Sequence, residues 1–259
     1  MRRPLRWLLE FAAPPVVLFF VVIAIWHLAV VAMGIKRYVV PQPLEVLRAG
    51  WERRGDLLSA ASTTGEAAAA GFLLSLAAGF MIACLFSQSR VVERSIYPYA
   101  IFLQTVPIVA IAPLIVAWFG YGFQSVVVVA FIISIFPVIT NATAGLTAID
   151  ANLLELFELA GASRWQLLVK LRLPSSVPHV VTGARISAGL SVVGAIVGEI
   201  FAGAGAQRPG LGYLIQQTTG FQKTADLFAA VIVSAALGMV IFGTVSAAGA
   251  AVMKCWRGD

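Results

Sequence analysis

The sequence predicts an all-α integral membrane protein with six transmembrane helices. Of its 259 residues, 60% are hydrophobic and only 12% are charged, a composition that soluble globular domains do not have. Apolar runs long enough to cross the hydrocarbon core as helices, about 20 residues each, recur along the whole chain. They lie at about 14–33, 62–86, 96–118, 124–145, 177–201 and 226–252. Residues 1–259 are therefore treated as a single transmembrane domain.

An amphipathic segment at about 38–60 joins the first two runs. It opens with Pro41-Gln42-Pro43, and it then places apolar residues at helical spacing beside charges, a pattern typical of a short helix on a membrane face. The second and fifth runs each carry a ridge of small residues, which let helix backbones approach closely in lipid. We expect both ridges to pack against other helices. The ridges are Ala67, Gly71, Ser75 and Gly79, and Gly183, Ser187, Ser191 and Ala195.

Prolines interrupt the third and fourth runs. Pro98, Pro107, Pro113 and Pro137 each remove a backbone donor, so these helices are expected to be kinked or broken. Irregular backbone of this kind usually faces protein or a water-filled cavity. Polar groups near the breaks and in the fifth run are therefore candidates for a translocation path, although hydrogen bonding between helices explains the uncharged ones equally well. The candidates are Gln104, Pro107, Asn141, Ser191 and Glu199.

Glu199 is the ionisable residue of most interest, because a charge inside a membrane is costly. It follows Ala195 by one helical turn and stands near the predicted outer end of the fifth helix. Either it faces the translocation path, or its carboxylate reaches interfacial water or caps the glycine-rich loop that follows. The sequence leaves these interpretations open.

The connection at 150–176 is too polar to lie in lipid, since it mixes acidic and basic residues with leucines. Gly161, between Ala160 and Ala162, allows a backbone that ends one short helix and begins another, and it exposes a surface without bulk. We expect two helical arms that meet at Gly161 and end at Pro174. A partner protein can approach such a surface closely.

The twenty residues from Glu155 to Pro174 resemble the EAA motif of binding-protein-dependent ABC importer permeases. The glutamate, the glycine six positions later and the final Leu-Pro match in register, whereas Leu156 and Phe157 stand where the family has alanines. The resemblance implies a type I ABC importer permease fold. It also implies that the loop contains a coupling helix, which docks on a cytoplasmic ATPase and transmits ATP-driven closure. The implied ATPase contacts are Glu155, Ala160, Gly161, Ala162, Ser163, Arg164 and Pro174.

The runs 104–113, 118–122 and 210–215 resemble the nitrate/sulfonate/taurine branch of these permeases, which includes relatives for pyrimidine thiamine precursors and riboflavin. The resemblance covers about residues 40–250, and the run 104–113 favours the pyrimidine or riboflavin relatives. It implies import of a small solute by alternating access, with a solute-binding protein outside and a dimer of ATP-binding subunits inside. It further implies a second permease subunit that forms a homodimer. The chain is then expected in the bacterial inner membrane with both termini cytoplasmic.

No catalytic residue, metal ligand or cofactor site is assigned to this chain. It contains no Gly-x-x-x-x-Gly-Lys-Ser/Thr phosphate loop, so ATP and Mg²⁺ are assigned to a separate ATPase. His27 and His179 lack partners at ligand spacing, and the two cysteines, Cys84 and Cys255, are interpreted as ordinary thiols. Basic residues at the ends of apolar runs fit anchoring to lipid headgroups and do not indicate nucleic-acid binding.

Two other classes of membrane protein are alternatives. An ion- or proton-coupled secondary transporter would use Glu199 as its coupling carboxylate, but inverted repeats flanking broken helices are not evident. An intramembrane enzyme would need paired catalytic groups, which the sequence does not offer.

Overall fold

The computed structural model describes residues 13–257, and every regular element in that part of the chain is a helix. This confirms the predicted all-α fold. The first twelve residues and the last two lie outside the described residues. In chain order the helices are α1 (Ala13–Ala32), α2 (Pro43–Glu52), α3 (Arg54–Gln88), α4 (Arg90–Thr105), α5 (Ile108–Phe119), α6 (Phe123–Thr147), α7 (Ala151–Leu159), α8 (Arg164–Leu167), α9 (Leu173–Ala202), α10 (Leu211–Gly220) and α11 (Thr224–Arg257).

Five helical stretches among the described residues are long and apolar enough to cross a membrane. They are α1, α3, α6, α11 and the stretch Arg164–Ala202, in which a π-helical turn (Leu168–Arg172) joins α8 to α9. The stretch Arg164–Ala202 is 39 residues long, about 58 Å at a rise of ~1.5 Å per residue. One helical rod therefore extends from the 150–176 connection to the other end of the bundle.

The predicted third helix, 96–118, is not continuous. The structure divides this region into α4, of 16 residues, and α5, of 12 residues. Pro107 is the point of division: it has extended backbone with ψ 115°, it has no N–H to donate, and it disfavours helical backbone in the residue before it. Neither half reaches the roughly 20 residues of a full crossing. Together they return the chain from the end of α3 to the start of α6.

Several helices extend further than the apolar runs that predicted them. The second run, 62–86, lies within α3, which begins at Arg54, so part of the predicted amphipathic segment belongs to a long helix. The fifth run, 177–201, likewise continues back through the π-helical turn. Hydropathy detects the part of a helix that suits lipid, whereas the backbone hydrogen bonds continue into the polar residues on either side.

The predicted small-residue ridges are confirmed as packing faces. α6 lies between α3 and α9, and its backbone is approached so closely that added side-chain atoms would collide. A Cβ at Gly71 would lie 2.6 Å from the Cβ of Ala130, and a Cβ at Gly183 would lie 2.9 Å from the carbonyl oxygen of Pro137. Between α3 and α9 themselves, the hydroxyls of Ser75 and Ser187 are 3.1 Å apart. These three helices form the centre of the bundle.

Candidate functional site

The connection between α6 and α9 contains two short helices separated by a left-handed glycine. Asp150 caps α7, because its carboxylate accepts the N–H of Asn152 at 2.8 Å. At the other end the N–H of Gly161 donates to Glu158 O and that of Ala162 donates to Phe157 O, both at 3.0 Å. This pair of bonds is a Schellman motif, which requires positive φ at its glycine position. Gly161 has φ +67°.

Ser163 starts the second arm with a reciprocal capping box. Its hydroxyl accepts the N–H of Gln166 at 3.2 Å, while the Gln166 side chain accepts the N–H of Ser163 at 2.8 Å. Each bond satisfies a backbone donor that a helix start leaves free. The residues 160–164, which we call the coupling turn, are thus held by local bonds on both sides.

The coupling turn and its flanks expose large apolar side chains. Leu159 is 88% exposed, Trp165 is 71% exposed and Leu156 is 58% exposed. A Cβ at Gly161 would meet nothing within 4 Å among the described residues. Apolar side chains exposed in a segment too polar for lipid are typical of a surface that contacts another protein. The implied contact residues Glu155, Ala160, Gly161, Ser163 and Arg164 are all exposed, and Ala162 is half-buried.

Beyond the coupling turn, the chain is anchored to the bundle. Leu168 and Leu171 are buried, and Leu168 belongs to a cluster with Ala83, Ala142 and Leu146. Arg172 donates a hydrogen bond to the carbonyl oxygen of Ser87 near the end of α3. The second arm is therefore fixed to α3 and α6.

Pro174 does not end the second arm, contrary to the sequence prediction. The helix passes through it into α9. The π-helical turn explains this, because Leu173 N–H donates to Leu168 O five residues earlier and the widened turn accommodates a proline that has no N–H to offer. The helix that begins at the end of the coupling turn, at Arg164, consequently continues into α9 as one rod.

The five candidates for a translocation path do not form one cluster. Gln104 and Pro107 are exposed at the break between α4 and α5. Asn141 donates to Pro137 O of its own helix at 2.8 Å, and the buried Ser191 donates to Ala188 O at 2.9 Å. Within this chain, the uncharged candidates in α6 and α9 therefore satisfy their own helices.

Glu199 occupies a buried hydrogen-bonded site near the end of α9. Its side chain is 3% exposed, and its Oε2 accepts from the Thr64 hydroxyl at 2.9 Å and from the Gly212 N–H at 2.8 Å. The Thr64 oxygen in turn accepts the N–H of Leu211 at 2.9 Å. Leu211 and Gly212 are the first residues of α10, so the carboxylate caps the element after the glycine-rich loop. Of the interpretations left open by the sequence, the structure supports capping.

Two glycines make this arrangement possible. A Cβ at Gly210 would lie 2.0 Å from Oε1 of Glu199, and one at Gly212 would lie 2.2 Å from the carbonyl oxygen of Ile196. Only a residue without a side chain allows the start of α10 to lie this close to α9. We call Thr64, Glu199, Gly210 and Gly212 the Glu199 node.

Sequence reasoning missed Thr64 and the role of Gly212. A signal for Thr64 was present, because it lies one turn before Ala67 on the small-residue ridge of α3. In the sequence, Gly210 and Gly212 stand out only as part of the run 210–215, which resembles the permease branch. Their meeting with Glu199 depends on how α10 folds back against α9, which no local pattern encodes.

The remaining ionisable residues of the membrane helices have simpler surroundings. Arg185 donates to Ser246 O of α11 at 3.4 Å, so its long side chain links two helices. Glu66 is exposed and lines a cavity of about 390 Å³, and Glu199 and Gly210 of the Glu199 node also line this cavity. Among the described residues, no three His, Cys, Asp or Glu side chains come together to hold a metal ion.

Comparison with solved structures shows the same fold. The chain matches two inward-facing structures of the MetNI methionine ABC transporter, with TM-scores of 0.55 and 0.58. The matches cover 84% and 80% of this chain and 98% and 96% of the matched chains, at 19% and 17% sequence identity. The type I importer permease fold implied by the sequence is confirmed.

Curated relatives match over most of their length. The chain is 31% identical to the formylaminopyrimidine transport permease protein ThiX of Halalkalibacterium halodurans, over 90% of this chain and 92% of the relative. It is 32% identical to the riboflavin transport system permease protein RibX of Chloroflexus aurantiacus, over 88% and 84%. It is 25% identical to the nitrate import permease protein NrtB of Leptolyngbya laminosa, over 88% and 83%.

A family model described as "Binding-protein-dependent transport system inner membrane component" matches residues 75–253. That stretch contains α7, the coupling turn, the whole of α9 and the α10 side of the Glu199 node. With the relatives above, it makes the chain a multi-pass protein of the bacterial inner membrane and a member of the ABC importer permease family, in the nitrate/sulfonate branch.

Proposed function

We propose that this chain imports a small heterocyclic solute as one half of a permease homodimer, driven by an ATPase that docks on the coupling turn. The observation that carries the proposal is the exposed turn around Gly161, which is held by local hydrogen bonds on both sides. Apolar side chains are exposed on both of its flanks. Such a turn is stiff enough to transmit a displacement and bare enough to be contacted.

The coupling turn supplies the contact surface and the rod supplies the transmission. Leu159 and Trp165 offer apolar area to a groove in the ATPase. Gly161 allows the groove to approach the backbone. Displacement of the turn then moves α9 as one body, since helix runs from Arg164 to Ala202. ATP and Mg²⁺ belong to the ATPase in this proposal, and this chain provides no catalytic group.

The proposal places the coupling turn and both termini on the cytoplasmic side of the membrane. The Glu199 node then faces the solute-binding protein on the other side. The cavity of about 390 Å³ beside the node then lies on the side from which solute is delivered. The relatives named for formylaminopyrimidine and riboflavin support a pyrimidine-like or flavin-like solute. Selection among solutes is assigned mainly to the binding protein.

Replacing Gly161 with Trp tests the coupling role. Gly34 provides a matched control, because it also has positive φ, +59°, and a Cβ added there would also meet nothing within 4 Å among the described residues. Gly161→Trp and Gly34→Trp therefore carry similar backbone strain, but only the first obstructs the coupling turn. The permease is reconstituted with its binding protein and ATPase, and uptake of formylaminopyrimidine and of riboflavin is measured with ATPase co-purification.

We expect Gly161→Trp to abolish uptake and ATPase co-purification, while Gly34→Trp retains both. Retention of both properties by Gly161→Trp would refute the coupling role. Mass spectrometry of the ligand that co-purifies with the binding protein tests the solute class independently. A sulfonate or nitrate ligand would overturn the heterocycle assignment and leave the coupling role intact.

A further inference from the structure

We infer that Glu199 and Thr64 are positioning residues for transport: they fasten α10 to α3 and α9, so that movement of the coupling turn reaches the opposite end of the bundle. The inference rests on the proposed function, because it needs the coupling turn to be the driven part. It assigns the carboxylate a task other than contact with solute.

The first step is mechanical continuity. The rod that begins at Arg164 ends at Ala202, three residues after Glu199. A helix resists stretching because backbone hydrogen bonds join its successive turns, and in this rod the π-helical turn continues the helix into Pro174. A displacement at the coupling turn is therefore delivered to the Glu199 node with little loss along the way.

The second step is the attachment of α10 to that rod. The first turn of any helix leaves backbone N–H groups without partners inside the helix. In α10, two of these donors, Leu211 N–H and Gly212 N–H, are bonded to Thr64 and Glu199 respectively. Because Thr64 is 0% exposed and Glu199 is 3% exposed, water cannot readily replace either partner. Opening the node would leave buried donors unsatisfied, which is costly.

The third step is that the attachment joins three helices at one point. Thr64 comes from α3, Glu199 from α9 and the bonded N–H groups from α10. The apolar side of α10 extends the contact, since Leu211 and Leu214 pack with Leu57 and Ala60 of α3 and with Ala229 of α11. α10 is thus obliged to follow α9 or to break the node.

The test replaces the Thr64 hydroxyl while keeping the side-chain shape. Thr64→Val removes the bonds to Glu199 and to Leu211 N–H, together with the bond to Ala60 O of its own helix. Thr218→Val is the matched control, because Thr218 is also a buried threonine, 3% exposed, and bonds only to the backbone of its own helix α10, at Leu214 O and Ile215 O. Thr64→Ser restores a hydroxyl at the same position. Glu199→Gln keeps the size of the carboxylate and removes its charge.

The main readout is solute uptake per ATP hydrolysed, which loss of protein alone would not change. In Thr64→Val we expect this ratio to fall at least about fivefold, the equivalent of losing one buried hydrogen bond. Thr218→Val and Thr64→Ser should stay near the wild-type ratio, and Glu199→Gln should lie between. Equal ratios in Thr64→Val and Thr218→Val would overturn the inference.

A conformational readout covers the case in which Thr64→Val does not fold. In a Cys84→Ser, Cys255→Ser background, Thr219→Cys places a single thiol at an exposed position of α10. Its labelling by a membrane-impermeant maleimide should change when ATP is added, and Glu199→Gln should weaken that change. Unaltered ATP dependence in Glu199→Gln would contradict the inference. If Gly161→Trp leaves uptake intact, the proposed function itself fails, which is a separate result.

Discussion

Glycine is needed at both candidate functional regions of this chain, but for opposite reasons. At the coupling turn, Gly161 has φ +67° and empty space around it. At the Glu199 node, a Cβ on Gly210 or Gly212 would lie 2.0 to 2.2 Å from a neighbouring atom of α9. The first glycine satisfies a backbone conformation and leaves a bare surface. The other two let helices approach until their polar groups bond.

The two regions also differ in whether their side chains are buried within this chain or exposed. The node buries its residues and satisfies most of its polar groups within the chain, so its sequence is explained by the fold. The coupling turn has capped helices but exposes Leu159 and Trp165, so its sequence is not explained by the fold of this chain alone. Substitutions at the node should therefore disturb the fold first, whereas substitutions at the turn should disturb assembly first.

The largest effect is expected for Gly212→Ala. The new Cβ would overlap the carbonyl oxygen of Ile196, and overpacking of this kind costs about 1–3 kcal/mol or more. We expect a lower yield of folded protein in the membrane and a lower midpoint of thermal unfolding in detergent. Gly220→Ala in the same helix is the control, because its Cβ would meet nothing within 4 Å. Equal yields for the two variants would remove the packing argument for the node.

A smaller effect, of a different kind, is expected for Gly161→Ala. Alanine in left-handed backbone costs about 1–2 kcal/mol, and here the cost falls on the turn. The unfolding midpoint should change little, while the Kd of the permease for its ATPase should rise about tenfold. Gly34→Ala carries similar strain at φ +59° and should leave that Kd unchanged. A rise in Kd in both variants would show that backbone strain weakens ATPase binding wherever it lies, and would contradict a specific role for the coupling turn.

Removing the N-cap of α8, two residues after Gly161, should loosen the coupling turn. Ser163→Ala deletes the acceptor for Gln166 N–H, and an N-cap is worth about 1 kcal/mol. We expect the Kd for the ATPase to rise about threefold to fivefold. Ser163→Asp retains a capping acceptor and should recover most of the affinity. If Ser163→Asp binds as weakly as Ser163→Ala, the hydroxyl acts by contact and not by capping.

The smallest effect is expected at an ion pair whose residues belong to neither region. Arg53 lies between Asp56, which is 65% exposed, and Asp226, which is 18% exposed, at 3.3 and 3.2 Å. Exposed pairs contribute only about 0–1 kcal/mol, so Asp56→Asn should leave uptake and the unfolding midpoint nearly unchanged. Asp226→Asn should lower the midpoint more, since its side chain is more buried. The reverse order would contradict the assignment by burial.

Family membership decides among the classes that the sequence left open. The secondary transporter alternative, with Glu199 as coupling carboxylate, is wrong, because the chain is an ABC importer permease. The structure gives an independent physical reason why Glu199 does not act as a coupling carboxylate. Its Oε2 is engaged by Thr64 and Gly212, in a site where only 3% of the residue is exposed.

Sequence patterns were sufficient for features that depend on neighbouring residues. The apolar runs predicted the helical fold, the proline at 107 predicted a break, and Gly161 with its small neighbours predicted a turn between two arms. The small-residue ridges predicted which faces of α3 and α9 pack against other helices, because spacing along one helix fixes which side chains share a face. In each case the deciding interaction lies within a few residues of chain or on one helical face.

The tertiary structure alone decided what depends on residues far apart in sequence. Thr64 and Glu199 are separated by 135 positions, and their bond exists only because α3 packs against α9. The bonds of both residues to α10 exist only because α10 folds back onto these two helices. The passage of helix through Pro174 depends on a π-helical turn packed against α3 and α6. The coupling turn of Gly161 could be predicted from its own residues. Its connection to Glu199 through a single rod could not, because hydropathy records which residues suit lipid and not which hydrogen bonds continue.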